Sequence, residues 1–467
     1  MLNFEERTGP DLGADTPTYP DAVVPAWYRD AKLGFFVHWG VYSVPAWGTP
    51  HAEGSVPDED AYAHHQYAEW YANTVRIDGS PTRRRHEERY GAGTSYEDLA
   101  DLWDVTGFDA DALVGDLVAA GGRYVVPTTK HHDGFCLWDT GTTPFNAVRR
   151  GPGRDLVAEI ARATREAGAR LGLYYSGALD WHTSEYPPIE SSTDLFRLRR
   201  NDDVFARYAA AQLRELVDRF SPDVLWNDID WPDAGKTTAP HGLAAVLREY
   251  LEAVPGGVVN DRWGVPFHGF WTREYSHVPE TLPHPWEATR GLGWSFGYNE
   301  AEGPEHTIGE RELIHLLVDV VSKNGNLLLN VGPRSDGSIP DLQRDRLGAL
   351  GRWLGAYGDA IYGTRPWVRS GDVPSDPVTG RPDPLRSPVA YTSRGDEVFV
   401  HVLEPGRGLV ALAPELAGAA DVAWLSGAPA DRAGTAGAAG AAGDPTRDVV
   451  VPDGLRDAHV AVLRVRR

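Results

Sequence analysis

Apolar runs alternate with amphipathic helical segments along most of this chain, and that alternation narrows its fold more than any other feature. The runs are LGFFVHWG (33–40), RYVVPTTKHHDGF (123–135), ARLGLYYSGALDW (169–181), DVLWNDIDWP (223–232), GVVNDRWG (257–264) and NLLLNVGP (326–333). Between them, helical periodicity covers 108–122, 155–168, 204–220, 241–254 and 310–325. Continuously apolar strands joined through helices specify a parallel sheet covered by helices. Nearly every strand also ends in polar or aromatic residues. With a length of 467 residues, that favours an α/β fold of the (β/α)8-like, TIM-type barrel class over an open sheet. The stretch 263–309 has aromatics and turns but no helical pattern, so the barrel is expected to be irregular there.

A last helix is expected over 342–363, after which short β-like runs separated by turns predict a small C-terminal β-sandwich. The expected division is a catalytic domain over 1–367 and the sandwich over 368–467. Within the latter, the Gly/Ala-rich stretch 432–445 reads as a flexible loop. The segment 51–65 reads as mobile or as a loop over the site.

Strands of a barrel deliver the residues at their carboxyl ends into one pocket. Here these are His38 and Trp39, His131 and His132, Tyr175, Trp226 and Asp228, Asp261 and Arg262, then Glu274. A set rich in indole, imidazole and carboxylate suits a polyhydroxylated ligand, whose hydroxyls need planar hydrogen-bonding partners and whose C–H face packs on aromatics. Acidic residues outnumber basic ones 67 to 45 and the net charge is −22, which disfavours nucleic acid and anionic membrane surfaces as partners. The one cysteine, Cys136, excludes an internal disulfide. The acidic N-terminus lacks the basic and apolar regions of a secretory signal, and a cytoplasmic location is the expectation. Adjacent His131 and His132 on a strand end point apart and lack a third ligand at a clear spacing, so neither a metal nor a cofactor is expected. For Asp228 alone, a catalytic carboxylate and a turn or N-cap aspartate stand level as readings.

Several segments resemble the alpha-L-fucosidases of glycoside hydrolase family 29: WYRDAKLGFFVHWGVYSVPAW (27–47), YAEWYANTV (67–75), AAGGRYVVPTTKHHDGFCLWDT (119–140), LYYSGALDW (173–181), DVLWNDIDWP, NDRWGVP (260–266), TREY (272–275), GLGWSFGYNEAEG (291–303) and VSKNGNLLLNVGPRSDGSIP (321–340). Their order and spacing hold from about residue 20 to 367. The resemblance implies a retaining, exo-acting alpha-L-fucosidase working through a covalent fucosyl-aspartate. It implies Asp228 as nucleophile, Glu274 as general acid/base, and His38, Glu69, Trp70, His131, His132, Tyr175, Trp226 and Arg262 as sugar-binding residues. The partners implied are alpha-L-fucosides, with homo-oligomer formation left open.

Two features depart from the family pattern. Asp230 stands where a glycine is expected, adding a charge that would raise the pKa of Asp228. Phe267-His268-Gly269 before the acid is also atypical. Glu287, in PHPWEATRG, is the rival for acid/base and is otherwise read as supporting a loop. The alternative functions are a catalytically weak carbohydrate-binding barrel, or a transfucosidase or related hydrolase on similar sugars.

Overall fold

The computed structural model describes residues 17–19, 23–52, 55–57, 59–375, 383–432 and 447–467. Eight strands form one sheet: β1 (Leu33–Val37), β2 (Tyr124–Lys130), β3 (Arg170–Ser176), β4 (Val224–Asp228), β5 (Val258–Val259), β6 (Trp271–Glu274), β7 (Trp286–Gly291) and β8 (Gly325–Val331). Their order is β5-β4-β3-β2-β1-β8-β7-β6, with every pairing parallel. The sheet is the curled wall of a (β/α)8-type barrel whose seam lies between β5 and β6.

Crossover helices run over Ala110–Ala119, Leu156–Glu166, Asp203–Phe220, Leu243–Ala253 and Glu310–Ser322, followed by Asp341–Tyr357. The first three start where the side chains of Asp109, Asp155 and Asp202 accept backbone N–H groups of the first turn. Among the described residues, the stretch between β5 and the helix at Glu310 has only one helical turn, Pro304–His306. Strand β7 falls inside this stretch, so Glu287 sits on a buried strand and not in a loop.

Strand alternation divides the barrel residues into two sets. Leu171, Leu173, Tyr175 and Leu225 point outward into the layer between sheet and helices. Phe36, Tyr124, Val126, Tyr174, Val224, Trp226 and Leu328 point inward and fill the barrel. At the centre of that interior Glu287 accepts hydrogen bonds from Tyr28 (2.8 Å), Tyr124 (2.6 Å) and Trp226 (3.0 Å). Gly34 makes room for this arrangement, because a Cβ there would stand 2.3 Å from the Tyr124 ring.

The C-terminal part is an antiparallel sheet ordered β13-β15-β11-β10-β9, with a separate β12-β14 pair. Its strands are β9 (Arg365–Asp372), β10 (Val389–Arg394), β11 (Glu397–Val402), β12 (Leu409–Ala411), β13 (Asp421–Trp424), β14 (Asp448–Val450) and β15 (Ala461–Arg466). They enclose their own apolar core. Trp353 of the last barrel helix donates to the Val460 carbonyl (3.0 Å), tying the two parts together. The expected loop at 432–445 lies outside the described residues except for Arg432. Among the described residues, no helix is long and apolar enough to cross a membrane.

Candidate active site

The inward-facing strand ends open into a cavity of about 680 Å³. Asp228 terminates β4, in register with Ser176 of β3. Its Oδ1 accepts from Arg262 (3.0 Å) and from the Ile229 backbone N–H (2.9 Å), and its Oδ2 accepts from the Tyr174 hydroxyl (2.9 Å). Burial alone pushes this carboxyl up, but Arg262, His132 and Tyr174 together outweigh burial and hold it below the usual carboxylate range.

Arg262 comes from the loop after β5 and joins both candidate catalytic groups. One terminal nitrogen holds Asp228, the other donates to Glu274 Oε2 (2.8 Å), and Nε donates to Thr272 (3.0 Å). The guanidinium lies over the Trp226 ring at 4.8 Å. Burial opposes its charge, but Glu274 and Asp228 more than offset this and keep it firmly cationic. Glu274 ends β6, takes a further bond from the Tyr67 hydroxyl (3.2 Å), and keeps 29% of its side chain exposed to the cavity. Glu287, by contrast, is fully buried below the cavity among its three donors. Of the two glutamates, Glu274 alone has access to the cavity.

The histidines are held neutral and oriented. Asn330 donates its amide to the Phe296 carbonyl (2.6 Å), which turns its oxygen toward His38 Nδ1 (2.6 Å). Nδ1 of His38 therefore carries the proton and Nε2 is an acceptor. Burial pulls His38 down to about 4. His132 follows the same logic: Ser176 donates to the Leu179 carbonyl (2.8 Å), accepts from His132 Nδ1 (2.7 Å), and leaves Nε2 facing Asp228 Oδ2 at 3.7 Å. Burial also lowers His132, to about 4, and takes His131 well below its ordinary value. His131 stacks on Tyr174, with ring centroids 5.5 Å apart and planes 7° from parallel.

Glu69 and Trp70 reach the cavity from the short helical turn Ala68–Trp70. Glu69 accepts from the Gly297 N–H (2.7 Å) and the Ser295 hydroxyl (3.2 Å), and burial pushes it up to about 7. Trp70 stacks on His65 at 4.6 Å. Among the described residues of the segment 51–65, His51, Val56, Ala61, Tyr62 and His65 lie on the cavity wall.

Tyr175 is placed differently from the expectation. It faces outward, where its hydroxyl donates to Gln212 (2.8 Å) and accepts from Lys130 (3.1 Å). The neighbouring Tyr174 occupies the cavity instead, because Asp228 faces inward and its β3 register partner Ser176 shares parity with 174, not 175. Phe36, Tyr67 and Phe296 also line the cavity and were not read from the sequence. Asp230 points away from the site. The chain turns through positive φ at Ile229 and Asp230 (52° and 71°), and the Asp230 carboxylate is held by Arg199 and Lys236, each at 2.9 Å. The expected rise in the Asp228 pKa is thus absent.

A family model described as alpha-L-fucosidase matches residues 12–359. The chain belongs to the alpha-L-fucosidase family. It is 34% identical over 354 residues to an alpha-L-fucosidase of Dictyostelium discoideum, covering 74% of this chain and 72% of that protein. It is 32% identical over 407 residues to human tissue alpha-L-fucosidase, covering 85% and 80%. Among solved structures, a Thermotoga maritima alpha-L-fucosynthase in complex with alpha-L-Fuc-(1-2)-beta-L-Fuc-N3 superposes with a TM-score of 0.84 at 43% identity, over 95% of this chain and 97% of that one.

Proposed function

We propose that the cavity takes one terminal alpha-L-fucosyl residue and hydrolyses its glycosidic bond with retention, using Asp228 as nucleophile and Glu274 as general acid/base. The observation that carries this reading is the single Arg262 guanidinium shared between the two carboxylates. It ties the two carboxylates together at one cavity, which supports a pairing of nucleophile and acid/base.

In the first step Asp228 attacks the anomeric carbon while Glu274 gives its proton to the departing oxygen. Asp228 is suited to attack because Arg262 and Tyr174 keep it ionised. In the second step Glu274 takes a proton from water, and that water displaces the sugar from Asp228. His38, with Nε2 as acceptor, receives a sugar hydroxyl. Phe36, Phe296 and Trp226 supply an apolar wall, which suits the methyl group of a 6-deoxy sugar and would leave a C6 hydroxyl unsatisfied. Incubation with an aryl alpha-L-fucoside, followed by NMR, tests the mechanism. The first-formed product is expected to be the alpha anomer, and the beta anomer appearing first would refute retention. Asp228→Gly is expected to lower kcat by on the order of 10⁴-fold.

A further inference from the structure

Near its carboxyl end, strand β7 carries an arginine that the catalytic reading leaves unused. Thr289 faces the fucosyl cavity, and the next residue, Arg290, lines a separate cavity of about 500 Å³ together with Trp294, Thr307 and His315. The Arg290 guanidinium lies 5.4 Å from the centre of the Tyr275 ring, and its Nε donates to the Gly291 carbonyl (2.9 Å). Among the described residues, no carboxylate lies within ion-pair distance of it.

Three carboxylates also line this cavity, and none of them forms an ion pair with Arg290. Glu312 accepts the Gly309 N–H at its helix start (3.2 Å), Asp319 pairs with Lys323 (2.6 Å), and Glu305 stands on the exposed rim beside His306. A part-buried cation without an ion-pair partner, in a chain of net charge −22, carries a desolvation cost that Tyr275 and Glu312 offset only in part. Burial accordingly draws the Arg290 guanidinium below its ordinary pKa. A planar guanidinium beside an indole matches an anionic sugar, with bidentate bonds to the anion and ring packing against the C–H face.

The position of this cavity assigns it to the substrate. The segment after Glu274 walls both spaces: Ser276 and His277 line the fucosyl cavity, while Tyr275 underlies Arg290, and Asp319, 3.9 Å from His277, lines the second cavity. A general acid sits beside the oxygen it protonates, so the aglycone leaves on the Glu274 side. We infer that the Arg290 cavity is an outer subsite for an anionic group, a carboxylate or a sulfate ester, carried by the aglycone glycan. This rests on the fucosidase reading of the neighbouring cavity.

The test uses fucosylated trisaccharides that differ only in carrying a neutral, carboxylate or sulfate group beyond the fucosyl residue, with an aryl fucoside as reference. For wild type, kcat/KM is expected to be about tenfold higher for one of the anionic substrates than for the neutral one, with the advantage shrinking as salt rises. The two anionic arms tell carboxylate from sulfate. Arg290→Met is expected to erase the preference and Arg290→Lys to keep part of it, while both turn over the aryl fucoside within about twofold of wild type. Equal kcat/KM on all three trisaccharides in wild type, or a preference that survives Arg290→Met, would overturn the proposal. Should Arg290→Met fail to fold, the wild-type preference and Arg290→Lys decide it. An aryl fucoside left intact by wild type would instead overturn the fucosidase reading.

Discussion

Replacing Tyr174 with phenylalanine should move the acid limb of the pH–rate profile, whereas the same change one residue later should not. The Tyr174 hydroxyl donates a 2.9 Å bond to Asp228 inside a buried site. A hydrogen bond to a charged group contributes about 1.5–3 kcal/mol, and each pKa unit corresponds to about 1.4 kcal/mol. The Tyr174 bond is the smallest of the contributions that hold Asp228 down, behind Arg262 and His132, so the lower end applies and the shift is about one unit. The sign follows from which form the bond favours. Losing a donor destabilises the carboxylate, the Asp228 pKa rises, and the acid limb of kcat/KM moves to higher pH. The assay is kcat/KM for an aryl fucoside from pH 3 to 8, read by the position of the limb and not its height. Tyr175→Phe removes a hydroxyl bonded to Lys130 and Gln212. It should leave the limb in place and lower stability by about 1–3 kcal/mol in urea. A limb that shifts in Tyr175→Phe and stays fixed in Tyr174→Phe would refute both the parity assignment and the role given to Asp228.

Glu274→Ala should lose turnover and regain it with azide on a substrate with a good leaving group, while Glu287→Ala should show no azide rescue, because Glu287 is sealed below the cavity; rescue of the second variant would reverse the two roles. Asn330→Asp replaces the amide that fixes His38 and donates to the Phe296 carbonyl, so KM is expected to rise about tenfold with a smaller change in kcat. Glu302 accepts the Ser295 N–H (2.7 Å), and burial pushes its pKa up to about 8. Its folded pKa lies above the unfolded value, so its contribution is complete below about pH 4 and is lost as pH rises toward 8. Glu302→Gln should therefore gain about 2–4 kcal/mol over wild type at pH 9 and little at pH 5 in urea unfolding; equal effects at both pH values would contradict this.

The alternation of apolar runs and helices made the barrel legible, since each run is a strand buried on both faces and each intervening helix has a clear period. Strand ends also located the cavity, because a polar residue closing an apolar run has few other places to go. Two things stayed hidden. Tyr174 and Tyr175 are both aromatic and both buried, and only the register with β4 decides which one faces Asp228. Counting in twos back from the inward Asp228, through Ser176, would have selected Tyr174. Strand β7 was hidden for a different reason. WEATRG holds a glutamate, a threonine and an arginine, which look like a loop until Tyr28, Tyr124 and Trp226 are seen to satisfy the glutamate within the barrel.

The same reasoning explains why the proposed acid/base is harder to place from sequence than the proposed nucleophile. Asp228 ends a strand paired on both sides, by β3 and β5. Glu274 ends β6, at the seam where the sheet order stops and β5 is not its ladder partner. Side chains span this gap: Asp261 accepts from the Thr272 backbone N–H (3.1 Å) and hydroxyl (2.7 Å), and Arg262 donates to Thr272 and to Glu274. Glu274 is thus positioned by an aspartate and an arginine more than by strand pairing, and no apolar pattern records such bonds. Both residues lie in NDRWG, directly after β5. Its polarity thus serves two neighbours: Asn260 exchanges bonds with Asn227 of β4, while Asp261 and Arg262 close the barrel toward β6.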